Sequence, residues 1–136
     1  MAEKLVGDIM HKGVIACKPE TLLTEAVRVL ADTDVHALVV VDEEGYAVGI
    51  LAHEHLLPIY GQTLKGRLVA EVMSTTVNVI PPEAPLREAV AYMAEKKLDR
   101  LVVIRESPEG KEPMGVLSTT DVIEDMRGPK WVWYMG

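Results

Sequence analysis

PETLLTEAV (residues 19–27) returns 63 positions later as PEAPLREAV (residues 82–90). Both copies begin with proline and carry apolar residues three and four apart, the spacing of a helix with one buried face. Working outward at the same offset, VGDIM (6–10) lies over VAEVM (69–73), and ALVVVDE (37–43) over RLVVIRE (100–106). Between 6–43 and 69–106, 14 of 38 positions are identical. Three extra residues in the second copy then move the offset to 66, aligning GIL (49–51) with GVL (115–117). The chain is a tandem repeat, and any fold must be built from two similar units.

Each unit has the same coarse reading. A short apolar strand (14–17; 77–80) leads into a helix whose buried face is Leu23, Ala26, Val27 and Leu30, matched by Leu86, Ala89, Val90 and Met93. Thr21 is the expected N-cap of the first helix, and Pro85 suits the first helical position of the second. Strands at 37–42 and 47–51 flank the turn Asp42–Gly45, a hairpin signal; 100–105 and 114–117 flank the longer polar loop ESPEGKEP. A second helix closes each unit, near 53–60 and 119–126. The expected fold class is α/β (α+β): tandem β-α-β-β-α repeats related by a pseudo-twofold axis. The expected bounds are 5–60 for repeat 1, 61–68 for a connector, 69–127 for repeat 2 and 128–136 for an aromatic tail.

A unit of about 60 residues buries little surface alone, so the two halves are expected to share a core. That arrangement creates related clefts between them, natural places for a ligand. Composition narrows the ligand and partner classes. A net charge of −7 with no run of Lys or Arg argues against nucleic acid. The single Cys17, within the apolar stretch VIAC, excludes an internal disulfide and is expected to be a buried, inert thiol. The N-terminus lacks a signal-peptide pattern, and apolar runs such as ALVVV are too short to span a bilayer, so a soluble cytoplasmic protein without membrane contact is expected.

The halves differ most where their third strands enter their last helices. The second reads Gly115-Val-Leu-Ser118-Thr-Thr120-Asp121; the first has Ala52-His53-Glu54-His55 after GIL. A carboxylate offers two acceptor oxygens, suited to the two vicinal hydroxyls of a ribose, and a helix N-terminus favours phosphate. Ser118 and Thr120 equally suit capping of that helix. In the first half a neutral imidazole has one acceptor nitrogen, and Glu54 is turned roughly 100° around a helix, so that cleft is expected to be degenerate.

Together, the repeat, PxxxLxEAV, RLVV and GVLSTTD closely resemble the CBS-domain pair, or Bateman module, over residues 5–127. The resemblance implies a stand-alone regulatory module that binds an adenosine-containing ligand: AMP, ADP or ATP foremost, with S-adenosylmethionine and NAD also fitting. It implies no required cofactor, a homodimer, and signalling to an unidentified regulated protein. Carried over to this sequence, it assigns the ribose to Asp121 with Ser118 and Thr120. The adenine falls to Gly13, Val14 and Ile15, although Val14 and Ile15 also read as core strand residues. His36 and Arg100 become candidate phosphate contacts, because the His-Arg pair of some members is split here between His36-Ala37 and Asp99-Arg100.

His53-x-His55, with Glu54 or His11, lacks the i,i+4 spacing of a helical zinc site, so no metal is expected. No nucleophile elbow, P-loop or GxGxxG is present, and the chain is not expected to be an enzyme. The tail GPKWVWYMG alternates Trp131 and Trp133, an arrangement suited to a partner, a second copy or the module itself. The rival to the ligand-binding reading is a purely structural dimerisation and interaction module.

Overall fold

The computed structural model describes residues 3–128; the aromatic tail with Trp131 and Trp133 lies outside them. The first half contains α1 (Val6–Ile9), β1 (His11–Lys12), β2 (Ala16–Cys17), α2 (Leu23–Asp32), β3 (Ala37–Val41), β4 (Ala47–Ala52) and α3 (His53–Leu56). After α3 come single 3₁₀ turns at Leu57–Ile59 and Val69–Glu71. The second half continues with β5 (Val79–Ile80), α4 (Leu86–Lys96), β6 (Arg100–Ser107), β7 (Gly110–Ser118) and α5 (Thr119–Arg127).

Three strands form one sheet in the order β2-β3-β4, and four form the other as β1-β7-β6-β5. In each half a parallel pair (β2 with β3, β5 with β6) adjoins an antiparallel hairpin. The runs ALVVV and RLVVI are continuous rather than alternating because both faces of each central strand are buried. Leu38 and Val40 face α2, while Leu101 and Val103 face α4. The intervening Val39, Val102 and Ile104 join Ile50 in a third cluster shared by the two sheets. The helices lie outside, with Leu23, Ala26 and Leu30, and Leu86, Ala89 and Met93, turned inward as their spacing predicts.

The two halves also exchange their leading segments. Val6 belongs to the second half's helix-side core, and Val69 to the first's. The hydrogen bonds are reciprocal. Val6 N–H donates to Ala84 O and Leu86 N–H to Lys4 O, at 2.9 and 2.8 Å; Val69 N–H donates to Thr21 O and Leu23 N–H to Arg67 O, both at 2.9 Å. Carbonyls from the opposite segment therefore satisfy the first N–H of α2 and of α4. This corrects the expected Thr21 cap: Leu22 occupies the N-cap position, and the Thr21 hydroxyl accepts from Lys18 N–H at 2.9 Å. Pro85 is likewise the N-cap residue rather than the first helical one.

Three other expectations change. ESPEGKEP is mostly ladder, not loop, since β6 and β7 stay paired out to Ser107 and Gly110. There Arg105, Glu106, Lys111 and Glu112 are exposed on a hairpin extending past the core, so backbone pairing leaves no apolar alternation to read. The first half's closing helix is also shorter, four residues followed by a 3₁₀ turn containing Pro58. The Asp42 turn does form a hairpin: its carboxylate accepts from Glu44 N–H and Tyr46 N–H at 3.0 and 2.9 Å, and Gly45 supplies φ 89°. Cys17 is half-buried rather than buried, and desolvation pushes its thiol pKa up to about 11. Among the described residues no helix is long and apolar enough to cross a membrane.

Candidate functional site

The exchanged segments bring chain from one half against the strand–helix junction of the other. His11 and Lys12 pair with Val116 and Gly115 of β7, and Ser74 bridges to Ile50 of β4. A cavity lies at the first half's junction, and the equivalent position in the second half, around Asp121, is the second candidate cleft.

The Asp121 cleft is built on the start of α5. Ser118 is its N-cap, with Oγ accepting from Asp121 N–H at 3.2 Å, while Asp121 Oδ2 accepts from Ser118 N–H at 2.8 Å. This reciprocal pair is a capping box, in which each residue satisfies the other's free backbone donor. The capping expected of Ser118 is therefore realised, and it fixes the carboxylate's orientation. Among the described residues Asp121 is the one buried charged residue, its side chain 3% exposed. Its remaining oxygen, Oδ1, lies 2.7 Å from His11 Nδ1. Thr120 is exposed at the mouth.

Gly13, Val14 and Ile15 run across this region from one sheet to the other. Gly13 N–H donates to Met114 O of β7 at 2.8 Å, and Ile15 O accepts from Val39 N–H of β3 at 3.1 Å. Gly13 adopts φ 82° with open space where a side chain would stand. Val14 packs on the shared inter-sheet cluster, whereas Ile15, pointing the other way, is 41% exposed.

His36 and Arg100 are oriented toward the first half's junction. The His36 ring lies tilted against His53 with centroids 5.1 Å apart, and its carbonyl accepts from His53 N–H at 3.3 Å. Arg100 pairs with Ser118 in the ladder, yet its guanidinium crosses to Glu54 with N–O distances of 3.1 and 3.4 Å. It lines a cavity of about 210 Å³ with Glu54, His55, Ser74, Thr76 and Asn78. Partial burial opposes ionisation of Glu54, but hydrogen bonding by Arg100 and its own backbone, with the charges of Arg100 and His55, outweighs it and lowers the pKa. His55 Nδ1 accepts from Ala52 N–H at 2.9 Å, the capping role that Asp121 has in the other half. The structure thus sets Asp121, with Ser118 as its capping partner, against His11 and sends the Arg100 guanidinium into the other cleft.

Sequence reasoning weighed His11 only as a metal ligand and did not find its contact with Asp121. The available signal was weak: in the repeat alignment His11 stands over Ser74, three residues before the expected strand 14–17. Among the described residues, no three His, Cys, Asp or Glu side chains are grouped to hold a metal ion.

The CBS-domain family profile matches residues 6–60 and 69–128, both halves of the repeat. The chain belongs to the CBS-domain family. The CBS domain pair of protein MJ0100, solved with 5′-methylthioadenosine and S-adenosyl-L-methionine, superposes with a TM-score of 0.82 at 22% identity, covering 95% of this chain and 100% of that one. CBSX2 in complex with AMP gives 0.80 at 24% identity, over 94% and 99% of the two chains. At these identities the likeness speaks for the fold. Inosine-5′-monophosphate dehydrogenase of Methanocaldococcus jannaschii is 26% identical over 129 residues, 95% of this chain but 25% of that protein. A 33.4 kDa protein of Thermofilum pendens is 28% identical over 101 residues, 74% of this chain and 32% of that one. The chain spans about a quarter to a third of the length of these curated relatives.

Proposed function

We propose that this CBS pair is a regulatory module that binds an adenosine-containing ligand, foremost AMP, ADP or ATP, in the cleft of Asp121, and signals its presence to a partner protein. The observation that carries this reading is the Asp121 carboxylate. Its Oδ2 is held by its own helix cap while Oδ1 is turned toward the chain segment of the opposite half. A carboxylate fixed in this way is a preoriented acceptor for ribose hydroxyls. Beside it, open space over Gly13 and the exposed Ile15 leave room and apolar surface for a base. The complexes of similar pairs with AMP, 5′-methylthioadenosine and S-adenosyl-L-methionine support the ligand class.

Because the cleft is walled by both halves, a ligand there favours one arrangement of the halves over others, and a partner reads the difference. Exposed Leu57 and Tyr60 recur at the 66-residue offset as exposed Ile123 and Met126. We assign these paired apolar positions to a homodimer contact; sedimentation of Met126→Asp as an unchanged dimer would sink that assignment.

The test is thermal unfolding with AMP, ADP, ATP, NAD and S-adenosylmethionine, comparing wild type with Asp121→Asn, which keeps an acceptor for the cap. A ligand at 100 times its Kd adds about 2.7 kcal/mol, a rise on the order of 5 °C for this size. The expected result is a rise with at least one compound, lost in Asp121→Asn. The second reading, an interaction module without small ligand, is favoured by the fact that both Asp121 oxygens already have protein partners. No rise with any of the five would select it.

A further inference from the structure

The Asp121 carboxylate is nearly sealed, although a ribose-binding group must be reached. Its side chain is 3% exposed, while the His11 imidazole, whose Nδ1 stands 2.7 Å from Oδ1, is 75% exposed. The histidine comes from β1, the edge strand that the first half contributes to the second half's sheet. We infer that His11 is a gate on Asp121, opened by a ligand whose ribose hydroxyl takes its place against Oδ1. This rests on the reading of Asp121 as the ribose acceptor.

The geometry gives the gate its selectivity. Displacing His11 without putting another group in its place would leave the buried Asp121 Oδ1 without a neighbour to offset its charge, a cost a ligand avoids only by bringing a donor of its own. Swinging away is easy for the imidazole, since most of its surface already faces water and its strand is held through backbone pairing with Val116 and Gly115. In the other cleft the equivalent position is Ser74, whose hydroxyl contacts Thr76 instead, accepting from its N–H at 3.1 Å. His55 there bonds to Ala52 N–H and receives no such cover among the described residues. His11 is thus a specificity-determining residue peculiar to one cleft.

AMP titrations by calorimetry and stopped flow test the gate in wild type, His11→Ala and His11→Asn. Asparagine places an amide donor close to the position of Nδ1. His11→Ala should bind AMP about 1.5- to 5-fold more tightly, the range of one partly exposed polar pair, with the gain in the association rate. His11→Asn should return toward wild type. Binding to His11→Ala alone would be the strongest form of the same result. Equal or weaker binding by His11→Ala, or a gain confined to dissociation, overturns the gate while leaving AMP binding in place. If AMP binds none of the three, and ADP, ATP, NAD and S-adenosylmethionine bind none either, the ribose reading of Asp121 fails and the gate falls with it.

Discussion

The two clefts arise from one repeat, and the same backbone problem is solved in each with different chemistry. At the start of α5 the free N–H of Ser118 goes to a carboxylate, Asp121; at the start of α3 that of Ala52 goes to an imidazole nitrogen of His55. The cap is therefore what the fold requires of this position, and the choice of group is left to function. A carboxylate has a second oxygen to offer; an imidazole that accepts through Nδ1 turns only its Nε2 outward. The neighbouring positions diverge in keeping. Glu54, where the second half has Thr120, binds Arg100 and places an ion pair across the first cleft. The second cleft is covered by His11 instead.

The sharpest way to break the comparison is through the paired glycines of β4 and β7. A Cβ on Gly115 would stand 2.1 Å from His11 O, whereas one on Gly49 would stand 2.8 Å from Ser74 O. Both substitutions to alanine overpack a backbone crossing, so each is expected to destabilise by roughly 1–3 kcal/mol. Gly115→Ala should fall at or above the top of that range and exceed Gly49→Ala. Urea unfolding of the two variants measures this, and the reverse order would show that the segments do not cross as described.

A smaller effect should separate the caps. Asp121→Ala removes both the cap and the acceptor of His11, with an expected loss of about 1–2 kcal/mol. His55→Ala removes a cap on a four-residue helix and should cost less, about 0.5–1 kcal/mol. Equal losses in thermal or urea unfolding would mean that the His11 contact contributes nothing to the free protein.

The smallest effect belongs to Arg100–Glu54. With Glu54 more than half exposed, Glu54→Gln should cost no more than about 0.5 kcal/mol at neutral pH. The sign of its pH dependence follows from the lowered Glu54 pKa. Such a carboxylate stabilises the fold above its unfolded pKa, roughly 4.3, and that contribution is lost as pH falls through the folded value. The wild-type advantage over Glu54→Gln should therefore shrink below about pH 4. An advantage that grew on acidification would contradict the ion pair.

Much of the architecture was readable because it rests on local periodicity that occurs twice. Leu23, Ala26 and Leu30, and their counterparts Leu86, Ala89 and Met93, place one face of each helix without reference to any partner. The doubly buried strands were readable as uninterrupted valine and leucine. The end of the β6–β7 hairpin was not, because polar strands held only by backbone bonds carry no periodic mark. Thr21 misled for a related reason: its hydroxyl suits a cap, but a carbonyl 46 positions away, Arg67 O, reaches Leu23 N–H instead.

By itself the sequence determined the repeat, its helices and central strands, and the junction at which a carboxylate stands in one half and histidine in the other. Those features depend on residues within a turn or two of each other, or on a pattern copied at a constant offset. The tertiary structure alone decided that β1 crosses to the opposite sheet, that His11 thereby meets Asp121 across 110 residues of chain, and that Arg100 turns to Glu54 rather than to the Asp121 cleft. Contacts of that kind follow from how two apolar faces meet and which segments they exchange. Polar side chains at the rim then pair with whatever the packing of Val39, Ile50, Val102 and Ile104 brings within reach.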